Sequence, residues 1–411
     1  MPELAPSNTA LQNRAATQQK YPPVPKVCVV TGGTGFVGLR LVEMLIERGA
    51  EKVICLDIVP PPENAWKHPK IEWRIGSITD LETVREVCKG ADCVWHNAAA
   101  VGPFHPKPLY YKVNYEGTLN IMKACEEFGV KKIVMSSSPS TRFTGEDVDG
   151  LTEEQMPDLP LEKYLQTYAE TKAMGEIELL KMDQSKCMTI AVAPHQVYGP
   201  RDNLFLPNLL EAAGNGKLRV FGKGLNRICF THVDNYCHGL IISERALQPG
   251  SKVCGKFYIV TDGTTHPKGE QYLIFWEILD EAIVAMGFTS IWKKAHLPTW
   301  LLFGVAYICD FLGYLLGKTF KLSYFNVLVL TMHRWFDISA AEKDLDFKPI
   351  IDFREGWDET KAVFQKTWLP TFRKDMSLLG ISDTTQEKID IQDGKKKTMS
   401  SNKPKDQVES A

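Results

Sequence analysis

Residues Val27 to Gly49 read V-C-V-V-T-G-G-T-G-F-V-G-L-R-L-V-E-M-L-I-E-R-G: an apolar run, a glycine-rich turn and an amphipathic run that stops at glycine. This is the pattern of a strand, a tight turn and a helix. Gly32, Gly35 and Gly38 stand at G-x-x-G-x-x-G spacing. Without a Cβ they let the chain turn sharply, approach a pyrophosphate and pack the helix against its strand. Free N–H groups at the helix start then face the phosphates. A second apolar run, Lys52 to Leu56, ends in Asp57, nineteen residues past Gly38. A carboxylate there holds the adenosine ribose hydroxyls and repels a 2′-phosphate, which predicts NAD in preference to NADP.

The 411 residues are 44% hydrophobic and 24% charged, enough for a large folded core. Forty-eight basic against fifty acidic residues leave a net charge of -2, so no basic field argues for nucleic acid. The ten cysteines form no C-x-x-C pair and lie mostly in apolar runs, as Cys28, Cys55, Cys93 and Cys125 do. That is the placement of buried, reduced thiols, and no metal site is expected. Residues 1–25 lack the charged and then apolar pattern of a signal peptide and are expected to be a disordered lead.

The alternation continues with a strand Ile71 to Ile75, the turn Gly76 to Asp80, a helix to about Lys89 and a strand Asp92 to His96. That strand ends in H-N-A-A-A, whose small residues let the backbone lie against a cofactor. A helix from about Tyr110 to Phe128 carries Asn114, and the strand Lys131 to Met135 runs into Ser136-Ser137-Ser138-Pro139. A helix Leu161 to Met182 and a strand Met188 to Ala193 follow. The fold class is therefore α/β: a doubly wound parallel (Rossmann) sheet over residues 26–200. Residues 201–295 are expected to form a smaller substrate-binding portion, 296–321 an apolar membrane-associating segment, 322–382 a portion packing back on the domain, and 383–411 a disordered polar tail.

Tyr168 and Lys172, in Y-A-E-T-K, are four residues apart on a helix and share one face. The ammonium is expected to draw the tyrosine below its ordinary pKa of about 10, toward that of a general base. Ser138 at the fifth strand's end would hydrogen-bond the substrate oxygen, with Ser137 as the alternative donor. A second Y-x-x-x-K, Tyr314 to Lys318, lies in an apolar helix with no glycine turn or serine strand leading to it, so context selects Tyr168.

In order, T-G-G-T-G-F-V-G, Asp57, H-N-A-A-A, V-N-Y-E-G-T, the serine run, Y-A-E-T-K-A-M-G-E and V-Y-G-P-R-D resemble the extended short-chain dehydrogenase/reductases. P-H-Q-V-Y-G-P-R-D, L-P-N-L-L-E-A-A-G-N-G-K, F-T-H-V-D-N and L-T-M-H-R-W-F-D-I-S-A-A-E-K-D-L resemble their 3β-hydroxysteroid dehydrogenase group, and within it the decarboxylating sterol-4α-carboxylate 3-dehydrogenases. The resemblance implies Tyr168 as base, Lys172 on the nicotinamide ribose and Ser138 on the substrate oxygen. It places NAD against Gly32, Gly33, Gly35, Phe36, Val37, Gly38, Asp57, Ser77, Ile78, Ala98, Ala99, Asn114, Tyr168, Lys172, Pro194 and Val197, and the substrate near Ser137 and His195. Three positions depart from the group: Ala193 where arginine is usual, Ser77 where aspartate is frequent, and Pro139 in the serine loop.

The implied reaction is oxidation of the 3β-hydroxyl of a sterol 4α-carboxylate to the ketone, with loss of CO2. The alternatives are a 3β-hydroxysteroid dehydrogenase/isomerase, a reductase of another bulky alcohol, and a dinucleotide-sensing scaffold without turnover. His195 could meet a carboxylate or be a packed core residue. Trp300 to Gly317 is eighteen residues with one charge; Tyr307, Asp310, Tyr314 and Lys318 fall on one stripe opposite Leu302, Val305, Leu312 and Leu316, which favours a helix lying on a membrane surface, with a transmembrane helix and a buried core helix as the alternatives. By resemblance the membrane is the endoplasmic reticulum with the catalytic domain in the cytosol, and a homodimer or a sterol demethylation complex is the expected assembly.

Overall fold

The computed structural model of the chain describes residues 4–6, 8–18, 23–102, 105–316 and 322–374. The first half runs α1 (Ala10–Gln18), β1 (Val27–Thr31), α2 (Phe36–Glu47), β2 (Lys52–Asp57), β3 (Ile71–Ile75), α3 (Leu81–Cys88), β4 (Cys93–His96) and α4 (Lys107–Tyr110). A π-helical turn (Tyr111–Glu116) leads into α5 (Gly117–Phe128), β5 (Lys132–Ser136), β6 (Val148–Leu151), α6 (Thr167–Leu180) and β7 (Met188–Pro194). The second half adds β8 (Val197–Tyr198), α7 (Phe205–Gly214), β9 (Arg227–Ile228), β10 (Thr231–His232), α8 (Val233–Ala246), β11 (Lys256–Val260) and β12 (Leu273–Ile274). Then come α9 (Phe275–Ala285), α10 (Thr299–Leu316), α11 (Tyr324–Val329), β13 (Arg334–Phe336), α12 (Ser339–Leu345), α13 (Phe353–Lys366) and α14 (Trp368–Lys374).

Seven strands pair in parallel in the order β11-β7-β5-β4-β1-β2-β3. Cys28–Val30 and Cys93–Trp95 are fully buried, as strands covered by helices on both faces must be. Helices α3, α5 and α6 cover one face, α2 and α8 the other. Strand order reverses between β1 and β4, and the crevice at their C-terminal ends is where a ligand fits.

β11 and α8 belong to the stretch expected to build the substrate portion, yet both complete the nucleotide-binding sheet. Their runs G-L-I-I and K-F-Y-I-V are apolar enough to be buried on it. A second sheet, β12-β9-β13-β6, collects short segments from four distant parts of the chain and lays β13 across the crevice side.

The expected disordered lead is corrected as well. In its described part Ala5 and Val24 join the apolar core, and its polar side chains supply partners for buried charge. Arg40 on α2 is fully buried and donates to Asp234 on α8 at 3.0 and 2.9 Å and to Glu47 at 3.0 Å, with Glu43 at 3.5 Å. Gln12 of α1 donates to the same Asp234 at 2.9 Å, and the Ala5 N–H reaches Glu47 at 3.3 Å. The expected tail, 383–411, lies outside the described residues.

α10 exists, but not with the stripe expected of it. Leu302 and Ala306 are buried against α11, and Asp310 accepts the Tyr324 N–H at 2.9 Å at the start of α11. Of the expected apolar stripe, Val305 and Leu312 are exposed, and Trp300, Leu301, Tyr307, Ile308, Phe311 and Leu315 are exposed beside them. Among the described residues no helix is long and apolar enough to cross a membrane.

Replacing Arg40 by methionine leaves Asp234 and Glu47 buried without their cation. The expected result, read by urea unfolding, is a loss of about 3–5 kcal/mol.

Candidate active site

The glycine turn is pinned from three sides. Gly32 has φ +69°, where a side chain is strained, and its N–H donates to the Leu56 carbonyl at 2.8 Å. A Cβ on Gly32 would press on the Ala98 backbone at 3.0 Å, and one on Gly38 would overlap the Gly32 carbonyl. The Asp57 carboxylate closes the turn, accepting from Thr34 N at 3.0 Å, from Thr34 Oγ1 at 2.6 Å and from the Ile58 N–H at 2.8 Å. This bare-backbone cradle at the start of α2, with an acid beside it, suits a dinucleotide.

A cavity of about 770 Å³ begins here. Gly32, Gly35, Phe36, Val37, Gly38, Asp57, Ser77 and Ile78 line one part, and Ala98, Ala99, Ser136, Ser138, Pro194, His195 and Val197 line the rest. Four expected cofactor contacts are not among the lining residues: Tyr168 and Lys172, which stand behind them, and Gly33 and Asn114, which face elsewhere. Gly33 packs on Cys55 of β2, where a Cβ would come within 2.9 Å of that side chain. The Asn114 side chain is buried in the π-helical turn; it accepts the Ala100 N–H at 2.8 Å and donates to Thr171 at 3.2 Å. It therefore ties the H-N-A-A-A loop to α6 and does not line the cavity.

α6 starts at Thr167, not Leu161, with Gln166 as its N-cap. Tyr168 is half-buried in the first turn, its ring edge-on to Tyr110 at 6.4 Å and its hydroxyl near enough to Ser138 for that serine to act on its pKa. Tyr168 and Lys172 stand against Ser138 and Ser136, behind the residues that line the cavity. Burial pushes the phenol up to about 12, with the neighbouring Ser138 hydroxyl acting to lower it. The expected drop below 10 is absent because the Lys172 ammonium turns to the Ser136 carbonyl, at 2.8 Å. Burial draws Lys172 itself down to about 8, with Glu176 opposing.

The serine alternatives separate cleanly. Ser137 is buried and its hydroxyl donates to Glu176, so it is not a substrate contact as expected. Ser138 lines the cavity, 2.8 Å from Ser140 Oγ and in reach of Tyr168. Glu176 was not foreseen. It is fully buried, pairs with Arg142, and sits one turn below Lys172; the i, i+4 spacing in K-A-M-G-E was the available signal. Arg334 was also missed. It lines the cavity from β13, beside His195, and only its long-range pairing with β6 and β9 brings it there.

A phenol beside a serine hydroxyl can move a proton to or from an oxygen while a nicotinamide exchanges hydride with the carbon that bears it. That is alcohol–ketone chemistry, and the chain is an NAD(P)-dependent short-chain dehydrogenase acting on a CH–OH group. It belongs to the 3-beta hydroxysteroid dehydrogenase/isomerase family, whose family model matches residues 29–281. It is 32% identical over 354 residues to 3beta-hydroxysteroid-dehydrogenase/decarboxylase isoform 1 of Arabidopsis thaliana, covering 81% of this chain and 78% of that protein. It is 30% identical over 348 residues to the decarboxylating sterol-4-alpha-carboxylate 3-dehydrogenase of Homo sapiens, covering 83% and 88%. Among solved structures, the epimerase Mth375 of Methanothermobacter thermautotrophicus shares the fold with a TM-score of 0.64 at 22% identity, over 89% of this chain and 98% of that one.

Substituting Gly38 by alanine puts a methyl into the Gly32 carbonyl and shifts α2 off the cradle. NADH titration by fluorescence is expected to show binding abolished.

Proposed function

We propose that this enzyme oxidises the 3β-hydroxyl of a sterol 4α-carboxylate with NAD and releases CO2. The observation that carries the reading is Tyr168 standing beside Ser138, which lines the cavity that begins at the glycine turn and Asp57. The names of the two relatives supply the substrate class. Asp57, already engaged as an acceptor at the end of β2, supports NAD over NADP, because a 2′-phosphate there would meet a carboxylate.

When bound, NAD supplies the hydride acceptor at its nicotinamide ring. Lys172 is assigned the ribose hydroxyls next to that ring. The phenolate form of Tyr168, a minor fraction near neutral pH, takes the proton of the 3-hydroxyl at Oη as the carbonyl forms and becomes the phenol, and Ser138 Oγ–H donates to the same oxygen. The product is a β-keto acid. Its C4–carboxylate bond breaks with the electron pair passing to the C3 oxygen, where the Ser138 and Tyr168 hydroxyls stabilise the enolate; a proton then returns to C4 and CO2 leaves.

Attachment to a membrane surface belongs to the same proposal. The exposed Trp300, Ile308, Phe311 and Leu315 of α10 support a helix lying in the headgroup layer, from which a lipid-dissolved sterol could enter. Endoplasmic reticulum, with the catalytic domain in the cytosol, is the location this chemistry favours, and a homodimer or a sterol demethylation complex the assembly.

Incubating the protein with NAD and a 4α-carboxysterol should produce NADH and CO2 in equal amounts. NADH without CO2 would assign it instead to the dehydrogenase/isomerase type, and neither product would favour a nucleotide-sensing scaffold. Tyr168→Phe should lower kcat by about 10²–10⁴-fold with NADH affinity kept. Because burial holds the phenol above its ordinary pKa, the phenolate fraction grows as pH rises, so wild-type oxidation should accelerate between pH 6 and 8 while the variant's residual rate stays flat.

A further inference from the structure

Arg334 opens β13 and is nine-tenths buried. A guanidinium taken out of water is costly unless an anion meets it. Among the described residues Arg334 has no ion pair. Its one side-chain hydrogen bond runs from Nη1 to His195 Nε2 at 3.2 Å, and its Nε is buried with no partner.

The histidine is a neutral support. Its Nδ1 lies 2.9 Å from the Cys229 carbonyl oxygen, which can only accept, so the ring proton sits on Nδ1 and the lone pair of Nε2 faces the arginine. Burial, and next the guanidinium itself, pull the ring's pKa down to about 3, so it adds no charge. Phe336 meets the ring edge-on at 5.3 Å and fixes its plane. The result is a rigidly aimed cation with nothing to neutralise it; burial draws it down to about 10, which leaves it charged at neutral pH.

Its position separates it from the nucleotide cradle. His195 follows β7, which is three strands from β1 in the order β7-β5-β4-β1, or roughly 14 Å at the usual strand spacing. β7 is the immediate neighbour of β5, after which Ser138 comes. Two adjacent strand ends therefore present one group for the reacting oxygen and one for an anion, on the wall of a single cavity.

We propose that Arg334, aimed by neutral His195, is the specificity residue that receives a carboxylate on the carbon next to the one bearing the reacting oxygen. The ligand class is a β-hydroxy acid, or the β-keto acid made from it. This rests on the dehydrogenase reading above and deepens it. A substrate with a neutral group at that carbon leaves the cation buried and unpaired, which penalises it without any steric clash.

The test uses the full chain with NAD and two 3β-hydroxysterols, one with a 4α-carboxylate and one with a 4α-methyl, in wild type, R334M and R334K. The wild type should prefer the acid by about 100-fold in kcat/KM, as expected for a charge-assisted bond in a buried site. R334M should bring the two within about threefold by losing the acid, R334K should restore part of the preference, and NADH affinity should stay within about twofold. The ligand-free thermal midpoint of R334M should not fall, because methionine removes an unmatched charge. Equal losses on both sterols, weakened NADH binding, or a fall in the midpoint would assign Arg334 to the fold or the nucleotide and overturn the proposal. If the wild type oxidises neither sterol, the sterol reading fails on its own. The NADH complex is then titrated with 2-hydroxycyclohexanecarboxylate, which carries both groups on one ring, against 2-methylcyclohexanol. Thermal stabilisation by the acid alone, absent in R334M, upholds Arg334 as its receptor; equal responses from the two proteins sink it.

Discussion

The absence of a side chain at Gly38 is the constraint from which the rest of the site follows. It lets α2 begin directly beneath the Gly32 carbonyl, so the helix start opens on the crevice while the body of the helix lies on the sheet. Arg40, two residues on, can then reach Asp234 on α8. Two residues further along α8, the Tyr236 hydroxyl donates to the Val192 carbonyl of β7 and lies 2.7 Å from Ser136 Oγ at the end of β5. A backbone contact in the first turn is thereby linked, through one buried ion cluster and one helix, to the two strands whose ends carry Ser138 and His195. The ends of these strands are fixed by contacts on both sides of the sheet, which is how a site on connecting loops keeps its geometry.

Burial dominates the electrostatics at the catalytic end. Burial raises the Tyr168 pKa and lowers that of Lys172 where α6 meets the serine loop. Glu176 offsets part of this. It accepts from Ser137, pairs with Arg142, and raises the Lys172 pKa from one turn away. Arg142 in turn lies 3.6 Å over the Phe257 ring of β11, so the last strand of the sheet helps hold the carboxylate that organises the loop. The two adjacent serines are separated by this arrangement: the one that faces Glu176 is spent on structure, and the one beyond it lines the cavity. Pro139 starts the short helical turn capped by Ser138, which keeps that hydroxyl at the cavity wall.

What could be read from the residues alone was what depends on near neighbours. The strand, turn and helix of Val27 to Gly49, the acid ending the second strand, and the tyrosine and lysine one turn apart are all local patterns with fixed geometric meaning, and each lies where its spacing requires. The misses share a different cause. Gly33 and Asn114 belong to motifs expected to touch cofactor, yet their own environments are Cys55 and Thr171, set by how β2 and α6 pack. The docking of α1 depends on buried carboxylates more than thirty residues away, and its polar composition, read by itself, suggests no such partner. Arg334 was in plain view in T-M-H-R-W-F-D, but its pairing with β6, some 186 residues earlier, is invisible to periodicity.

The contrast between two buried arginines shows what kind of feature Arg334 is. Arg40 and Arg334 are both removed from water, but three carboxylates around Arg40 outweigh its burial and raise its pKa, while around Arg334 nothing does and burial lowers it. A structural arginine is expected to look like the first. The second costs stability in the folded protein and is supported by a histidine whose tautomer is fixed to accept and whose charge is suppressed, so the support does not replace an anion. Such an arrangement favours the one state in which the missing charge is supplied from the cavity. Since it lies one strand from the serine and three from the glycine turn, the charge it awaits belongs to the molecule being oxidised, and selectivity for that molecule would come from relieving an electrostatic cost already present in the fold.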